Sequence, residues 1–112
     1  MIILKHIRAL KNVMIDTHPG ITLSQLEFLF MVHAVGKITH TEAAAQMGLT
    51  NGAISRMLDV FGSKKKKTGR HKNLGLVQDT RDVDDDRIKH ISMTTKGNLL
   101  ICRYFATIES EL

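Results

Sequence analysis

Apolar side chains recur at helical spacing at both ends of the chain and in its centre, and this spacing predicts helices there. Residues 1–17 carry an apolar stripe (Ile3, Leu4, Ile7, Leu10, Val13 and Met14). Residues 26–36 follow a T-x-x-Q capping pattern and are apolar on every side from Phe28 to Val32, which is typical of a buried central helix. A last helix, capped by Thr94, repeats apolar residues to the C-terminus (Leu100, Ile101, Tyr104, Phe105, Ile108 and Leu112). We expect the first helix to cover both the core and a partner subunit.

Between residues 39 and 61 the pattern predicts two short helices joined by a tight turn. The first begins with a T-x-x-E capping box, Thr39 and Glu42, and ends at Gly48, where glycine can adopt a positive φ. Thr50 or Asn51 can cap the second helix, whose apolar residues recur at i, i+3, i+4 and i+7 (Ile54, Met57, Leu58 and Phe61). The opposite face carries Asn51, Gly52, Ser55 and Arg56. Small and polar side chains with one guanidinium suit a helix that lies against DNA.

Two segments rich in β-branched residues, 74–81 and 88–93, flank the polar run DVDDD and predict a β-hairpin that leans on the helices. The predicted fold class is therefore mainly α with a two-stranded β-hairpin wing, a winged helix-turn-helix. We expect a single domain over residues 1–112. Its terminal helices, 1–17 and 94–112, serve dimerisation, residues 62–73 form a flexible basic loop, and residues 74–93 form the wing.

The positive charge of the chain is local. Its 112 residues include 16 Lys and Arg and 11 Asp and Glu, for a net charge of +5. Six of the basic residues fall in one segment without acidic residues (Lys64, Lys65, Lys66, Lys67, Arg70 and Lys72). A concentrated positive charge favours binding to a polyanion.

The sequence predicts a cytoplasmic protein. No apolar run is long enough for a membrane span, and the first residues lack the order of a signal peptide. A lone cysteine, Cys102, cannot form an internal disulfide and agrees with a reducing compartment. We expect Cys102 to be a small core or interface residue, with oxidation sensing as the alternative.

Several segments resemble the MarR family of bacterial transcription regulators, over about residues 21–100. They are ITLSQLEFL, ITHTEAAAQMGL, TNGAISRMLD, GLV, and the wing pattern D-x-R followed after five residues by M-T-T-K-G. The wing pattern is the most specific match, with Met93 in place of the usual leucine. The resemblance implies a dimeric regulator that binds double-stranded DNA.

Carried over by position, the resemblance implies that the second short helix faces the major groove (Thr50, Asn51, Gly52, Ser55 and Arg56). It also implies that Arg87 at the wing tip enters the minor groove and that Asp85 orients the tip. We add Thr39, Thr41 and the basic residues Lys64, Lys65, Lys66, Lys67 and Arg70 as candidate DNA contacts. The alternatives are a solvated Arg87 paired with its acidic neighbours, and an ordinary exposed face around Ser55 and Arg56.

Three features depart from the family pattern. The lysine-rich segment replaces a short turn, Asp86 and Asp79 stand where basic residues are common, and the sequence stops at Leu112, before a further helix. The lysine-rich segment has three interpretations: a solvated insertion, a localisation signal, or an arm that contacts DNA phosphates.

Motifs for catalysis and metal binding are missing from the sequence. The six histidines are scattered, no cysteine pair has zinc spacing, and 82–93 lacks the glycine and glutamate of a calcium loop. We expect His33 to be a packed polar residue. We therefore predict no enzyme activity, no cofactor and no metal.

The functional prediction is a dimeric, sequence-specific DNA-binding regulator that represses transcription, whose small-molecule effector, if any, is unknown. The alternative is a winged-helix module that binds another protein through its apolar terminal helices. A mobility shift with mixed duplex DNA at low and moderate salt discriminates between the two.

Overall fold

The computed structural model describes residues 2–17, 20–62, 74–81, 84 and 88–111. In these ranges the elements follow the order α1 (Ile2–Thr17), α2 (Leu23–Val35), β1 (Lys37–Thr39), α3 (His40–Met47), α4 (Asn51–Phe61), β2 (Val77–Arg81), β3 (Lys89–Met93) and α5 (Thr95–Glu111). The predicted fold class, mainly helical with a β wing, is confirmed.

Local capping explains why the central helices begin and end where they do. Thr22 and Thr39 each accept a hydrogen bond from the backbone three residues later and complete the two predicted capping boxes. Gly48 ends α3 in the left-handed region, with φ of 66°. For α4, where two cap residues remained open, the structure selects Thr50, whose side chain accepts from the Ala53 amide.

The sheet contains a third strand that the sequence analysis did not predict. The strand order is β1-β3-β2, antiparallel throughout, and Ile38 on β1 lies opposite Ile91 on β3. Thr39 is the N-cap of α3 as predicted, but it and Ile38 also lie on this strand, which the sequence did not indicate. A three-residue strand has too few positions to show alternation, and long-range pairing with β3 forms it.

The predicted strand over 74–81 was too long at its start. Residues 74–76 pair with the end of α4 instead of the sheet, since the Leu74 amide donates to the Val60 carbonyl at 3.0 Å and the Leu76 amide to the Phe61 carbonyl at 2.8 Å. The second strand of the hairpin begins at Lys89, one residue later than predicted.

The core lies where α2, α4 and the sheet meet. Phe28 and Phe61 are fully buried and their rings stack with centroids 6.2 Å apart. Ile54 and Met57 are buried with Phe61 as predicted, while Leu58 is half-buried. The inward stripe of α4 fixes the direction of its outer face.

Helix α1 packs on α5 through a different side from the centre of its predicted stripe. Ala9 and Val13 are buried, whereas Ile3 is 67% and Ile7 49% exposed. At 100° per residue the buried side lies about a third of a turn from the line through Ile3 and Ile7. The chain itself therefore covers only part of this apolar helix.

Helix α5 buries Leu100 and Ile101, whereas two of the residues that follow are exposed. Phe105 is 47% exposed, and Cys102 is exposed. The expectation of a core position for Cys102 is wrong, because its side chain points away from the packed face. An interface position for Cys102 stays a prediction.

Candidate nucleic-acid interface

The outer face of α4 presents the polar set that the sequence predicted for it. Asn51, Gly52, Ser55 and Arg56 are all exposed, and Thr50 precedes them at the N-cap, also exposed. Buried Ile54 and Met57 on the inner face hold this orientation. A rigid helix with short side chains at its start can approach a groove closely.

The Arg56 side chain runs back toward the start of α4. Its Nε donates to the Gly52 carbonyl at 3.3 Å. A Cβ at residue 52 would lie 3.7 Å from Nη2 of Arg56, within van der Waals contact. The guanidinium is thus held beside the N-terminal turn, where the helix dipole also favours an anion.

The threonines of the candidate set differ in how their hydroxyl groups are used. Thr39 is half-buried, and its Oγ1 accepts from the Glu42 amide and donates to Glu42 Oε1 at 2.8 Å. Thr41 is exposed. With His40 and residues at the start of β3, both threonines line an open cavity of about 480 Å³. Thr39 serves first as a cap, and Thr41 is the better placed of the two for an external contact.

The candidate residues of the basic segment and the wing tip (Lys64, Lys65, Lys66, Lys67, Arg70, Asp85 and Arg87) lie outside the described residues. The described residues on either side of 63–73 do lie together. The Gly75 amide donates to the Gly62 carbonyl at 3.1 Å, so these two flanking residues meet directly beyond the C-terminus of α4.

The base of the wing is fastened to α5. Thr94 Oγ1 donates to the Gly75 carbonyl at 2.6 Å, and Lys96 Nζ donates to the Leu74 carbonyl at 2.9 Å. The Thr94 amide donates to the Leu76 carbonyl at 3.0 Å. Residues 74–76 therefore connect α4, the wing and α5.

The sequence analysis did not predict a contact between two residues of this surface, His40 and Asp79. His40 Nε2 lies 3.3 Å from Oδ2 of Asp79, which joins α3 to β2. The sequence analysis treated Asp79 as a charge that departs from the usual basic residue on the wing. The two-residue period of a strand was the available signal, since it places Asp79 on the same face as Val77, which is buried.

An apolar cavity of about 420 Å³ lies between α1, α2 and α5. Phe30 and Tyr104 meet edge to face in its wall with ring centroids 4.9 Å apart. His33, on α2, has its Nδ1 3.1 Å from Oδ1 of Asn98 on α5 and is half-buried, as expected for a packed polar residue.

Neither a protein-family model nor a curated protein matches the sequence. Solved structures do. A variant of MarR from E. coli in complex with operator DNA matches 99% of this chain and 71% of its own, with 23% identity and a TM-score of 0.68. The MepR–DNA complex from S. aureus matches 96% and 76%, with 21% identity and a TM-score of 0.64. The chain has the MarR-like winged-helix fold.

A third structure of this MarR-like fold, the YusO protein from Bacillus subtilis, matches 97% of this chain with 20% identity and a TM-score of 0.63. The present chain spans 66% of YusO and 59% of a further structure of the multiple antibiotic resistance repressor MarR. In the described part of this MarR-like chain, no group of three or more His, Cys, Asp or Glu side chains is placed to hold a metal, and no helix could cross a membrane.

Proposed function

We propose that this chain is a sequence-specific, double-stranded DNA-binding regulator of transcription that acts as a homodimeric repressor. One observation carries the proposal: α4 buries its apolar stripe and presents Asn51, Ser55 and Arg56 together on an exposed face. Asparagine and arginine can each hydrogen-bond a base edge in two places, and serine can reach a base or a phosphate. The net charge of +5 supports attraction to a duplex.

Similar structures support the same proposal. The MarR variant was solved with operator DNA and MepR as a DNA complex. A fold that places one exposed helix beside a β wing suits a duplex, because the helix fits the major groove while the wing reaches the flanking backbone.

Selection of bound fragments from random duplex DNA tests the proposal directly. We expect an enriched sequence with two inverted half-sites, whose centres lie about one helical turn, or 34 Å, apart. If the protein bound no duplex DNA at low or moderate salt, the result would contradict the proposal and favour the protein-binding alternative.

Arg56→Ala should weaken binding to the selected site by about 10- to 100-fold, since a good arginine–base contact contributes about 1–3 kcal/mol. A guanidinium that reads guanine loses affinity mainly for the selected site, whereas one that holds phosphate loses affinity for random duplexes equally. Fluorescence anisotropy titrations on both duplexes measure the two losses.

The matched control is Arg8→Ala, which removes the same charge from an exposed position on α1. We expect it to leave the affinity for both duplexes within about twofold of wild type, because Arg8 belongs to a different helix, which packs on α5. Operator binding that is unchanged in Arg56→Ala would exclude both roles for Arg56.

We propose that a second copy of the chain packs against the exposed apolar side of α1. Ile3, Leu4 and Ile7 are 67%, 44% and 49% exposed, and Phe105 on the adjoining α5 is 47% exposed. Apolar side chains clustered on one surface mark an association site. Two copies related by a two-fold axis would also present two α4 helices to inverted half-sites.

The double variant Ile3→Glu with Ile7→Glu should therefore have the mass of a monomer in light scattering and bind the selected site at least tenfold more weakly, since one half-site contact is lost. Asn12→Glu adds a carboxylate to the opposite side of the same helix. It should keep the wild-type mass and affinity. A double variant that remains dimeric would contradict this interface.

A further inference from the structure

A polar contact joins the start of α3 to the wing. Nε2 of His40, the first residue of α3, lies 3.3 Å from Oδ2 of Asp79 on β2, and the two side chains are 26% and 20% exposed. The residues are 39 positions apart in the sequence. This contact can therefore form only when the wing is docked against the helices.

Asp79 stands on the core side of the sheet. In the strand register it lies opposite Ile91 on β3, which lies opposite Ile38 on β1. Directly opposed residues point to the same face, and both isoleucines are buried. The carboxylate thus points inward, as does Val77 two positions earlier. Its Oδ1 is buried and accepts no hydrogen bond from any described residue.

An inward carboxylate with one unsatisfied oxygen lowers the stability of the fold, because its lost hydration is only partly replaced. An apolar side chain would pack beside Val77 and Ile91 without this cost. The His40 contact has another property that apolar packing lacks: it depends on distance and direction, so it is satisfied in one relative position of α3 and β2. A polar contact of this kind specifies geometry.

The His40–Asp79 contact specifies the position of the wing beside α4. Strand β2 contacts α4 as well as β3, and α3 contacts α4, β1 and β3. A shift of β2 relative to His40 would therefore move the wing relative to the exposed face of α4.

We propose that His40 and Asp79 are positioning residues that fix the wing at one angle to α4, so that the chain holds the major groove and the flanking duplex backbone at the same time. The inference rests on the proposed DNA-binding function. Neither residue needs to touch DNA. Their effect is confined to duplexes long enough to reach the wing.

The test compares two duplexes, one that carries the selected half-site with its flanking base pairs and one cut at the edge of the major-groove site. Binding is measured for wild type, His40→Ala, Asp79→Ala and the double variant. On the long duplex we expect each single variant to lose about tenfold in affinity and the double variant to lose no more than a single one, since all three break the same contact. On the short duplex all four proteins should bind equally.

Two further variants separate positioning from general stability. His40→Gln can still donate an amide N–H to Asp79 and should retain wild-type binding on both duplexes. Gln78→Ala removes a contact to Ser92 Oγ, at 3.4 Å, which lies within the wing and does not reach α3. This control should also bind both duplexes like wild type.

Equal losses on the long and short duplexes, or losses that add in the double variant, would overturn the positioning role while leaving the proposed function standing. Wild-type protein that binds neither duplex would instead contradict the proposed function and this inference with it. Thermal unfolding of each variant, recorded in parallel, identifies any loss that comes from unfolding.

Discussion

Gly97→Ala is expected to lower the free energy of unfolding by about 2 kcal/mol, the middle of the range for overpacked sites. A Cβ at residue 97 would overlap the Leu76 carbonyl oxygen and would lie 2.8 Å from Cε of Met93. The methionine can move, but the carbonyl cannot, because it accepts the Thr94 amide at 3.0 Å. Helix α5 would have to shift away from the base of the wing. Thermal unfolding should record a decrease in Tm of about 8–15 °C for a chain of this size.

Gly52→Ala is the matched control, since residue 52 also lies in the first turn of a helix. Its added Cβ would have no neighbour closer than 3.7 Å. The substitution should leave stability unchanged or raise it by about 0.5–1 kcal/mol, because alanine favours helix more than glycine does. If the two variants unfolded at the same temperature, the close approach at Gly97 would not limit stability.

The same contact gives a physical reason for the sequence pattern that ends the wing. The T-x-x-G run places Thr94, which caps α5 and donates to the Gly75 carbonyl, three residues before Gly97, where the helix touches Leu76. The pattern was read from the sequence as a family resemblance. Its cause, a helix start packed against a backbone carbonyl, becomes visible only in three dimensions.

Helices α3 and α4 were predictable because the sequence signals that start and end them are local. Each signal lies within one short segment: a capping threonine, an amide or carboxylate side chain three residues later, and a glycine at the end of the helix. Thr39, Glu42 and Gly48 are an example. Burial at i, i+3 and i+7 then fixed the outward direction of Arg56. No long-range contact was needed for these predictions.

Features that depend on distant partners were missed or misplaced. Strand β1 exists through pairing with β3, more than fifty positions later. Periodicity located the apolar surface of α1. It could not show which part of that surface is buried in the chain, because the buried part depends on where α5 packs. The inward side chain of Asp79 acquires a partner only when α3 and the sheet meet.

The second large effect concerns the basic segment 63–73, which we propose as a sequence-independent contact to DNA phosphates. Replacing it with a short Gly-Ser linker removes six cations. Each neutralised phosphate contributes about 0.9 to the magnitude of the slope of log affinity against log salt, so the slope should fall by up to about 5 per subunit. Titrations at several salt concentrations measure it, and operator and random duplexes should weaken by the same factor.

The described residues on either side make this replacement feasible without loss of the fold. Gly62 and Gly75 are joined by a backbone hydrogen bond, and Lys96 holds the Leu74 carbonyl from α5. We therefore expect a Tm within a few degrees of wild type. A second variant, with glutamine at the six basic positions and the full length kept, separates charge from length. Both variants should reduce the slope equally if charge is the cause, and a slope that stays at its wild-type value in the glutamine variant would exclude the segment from the interface.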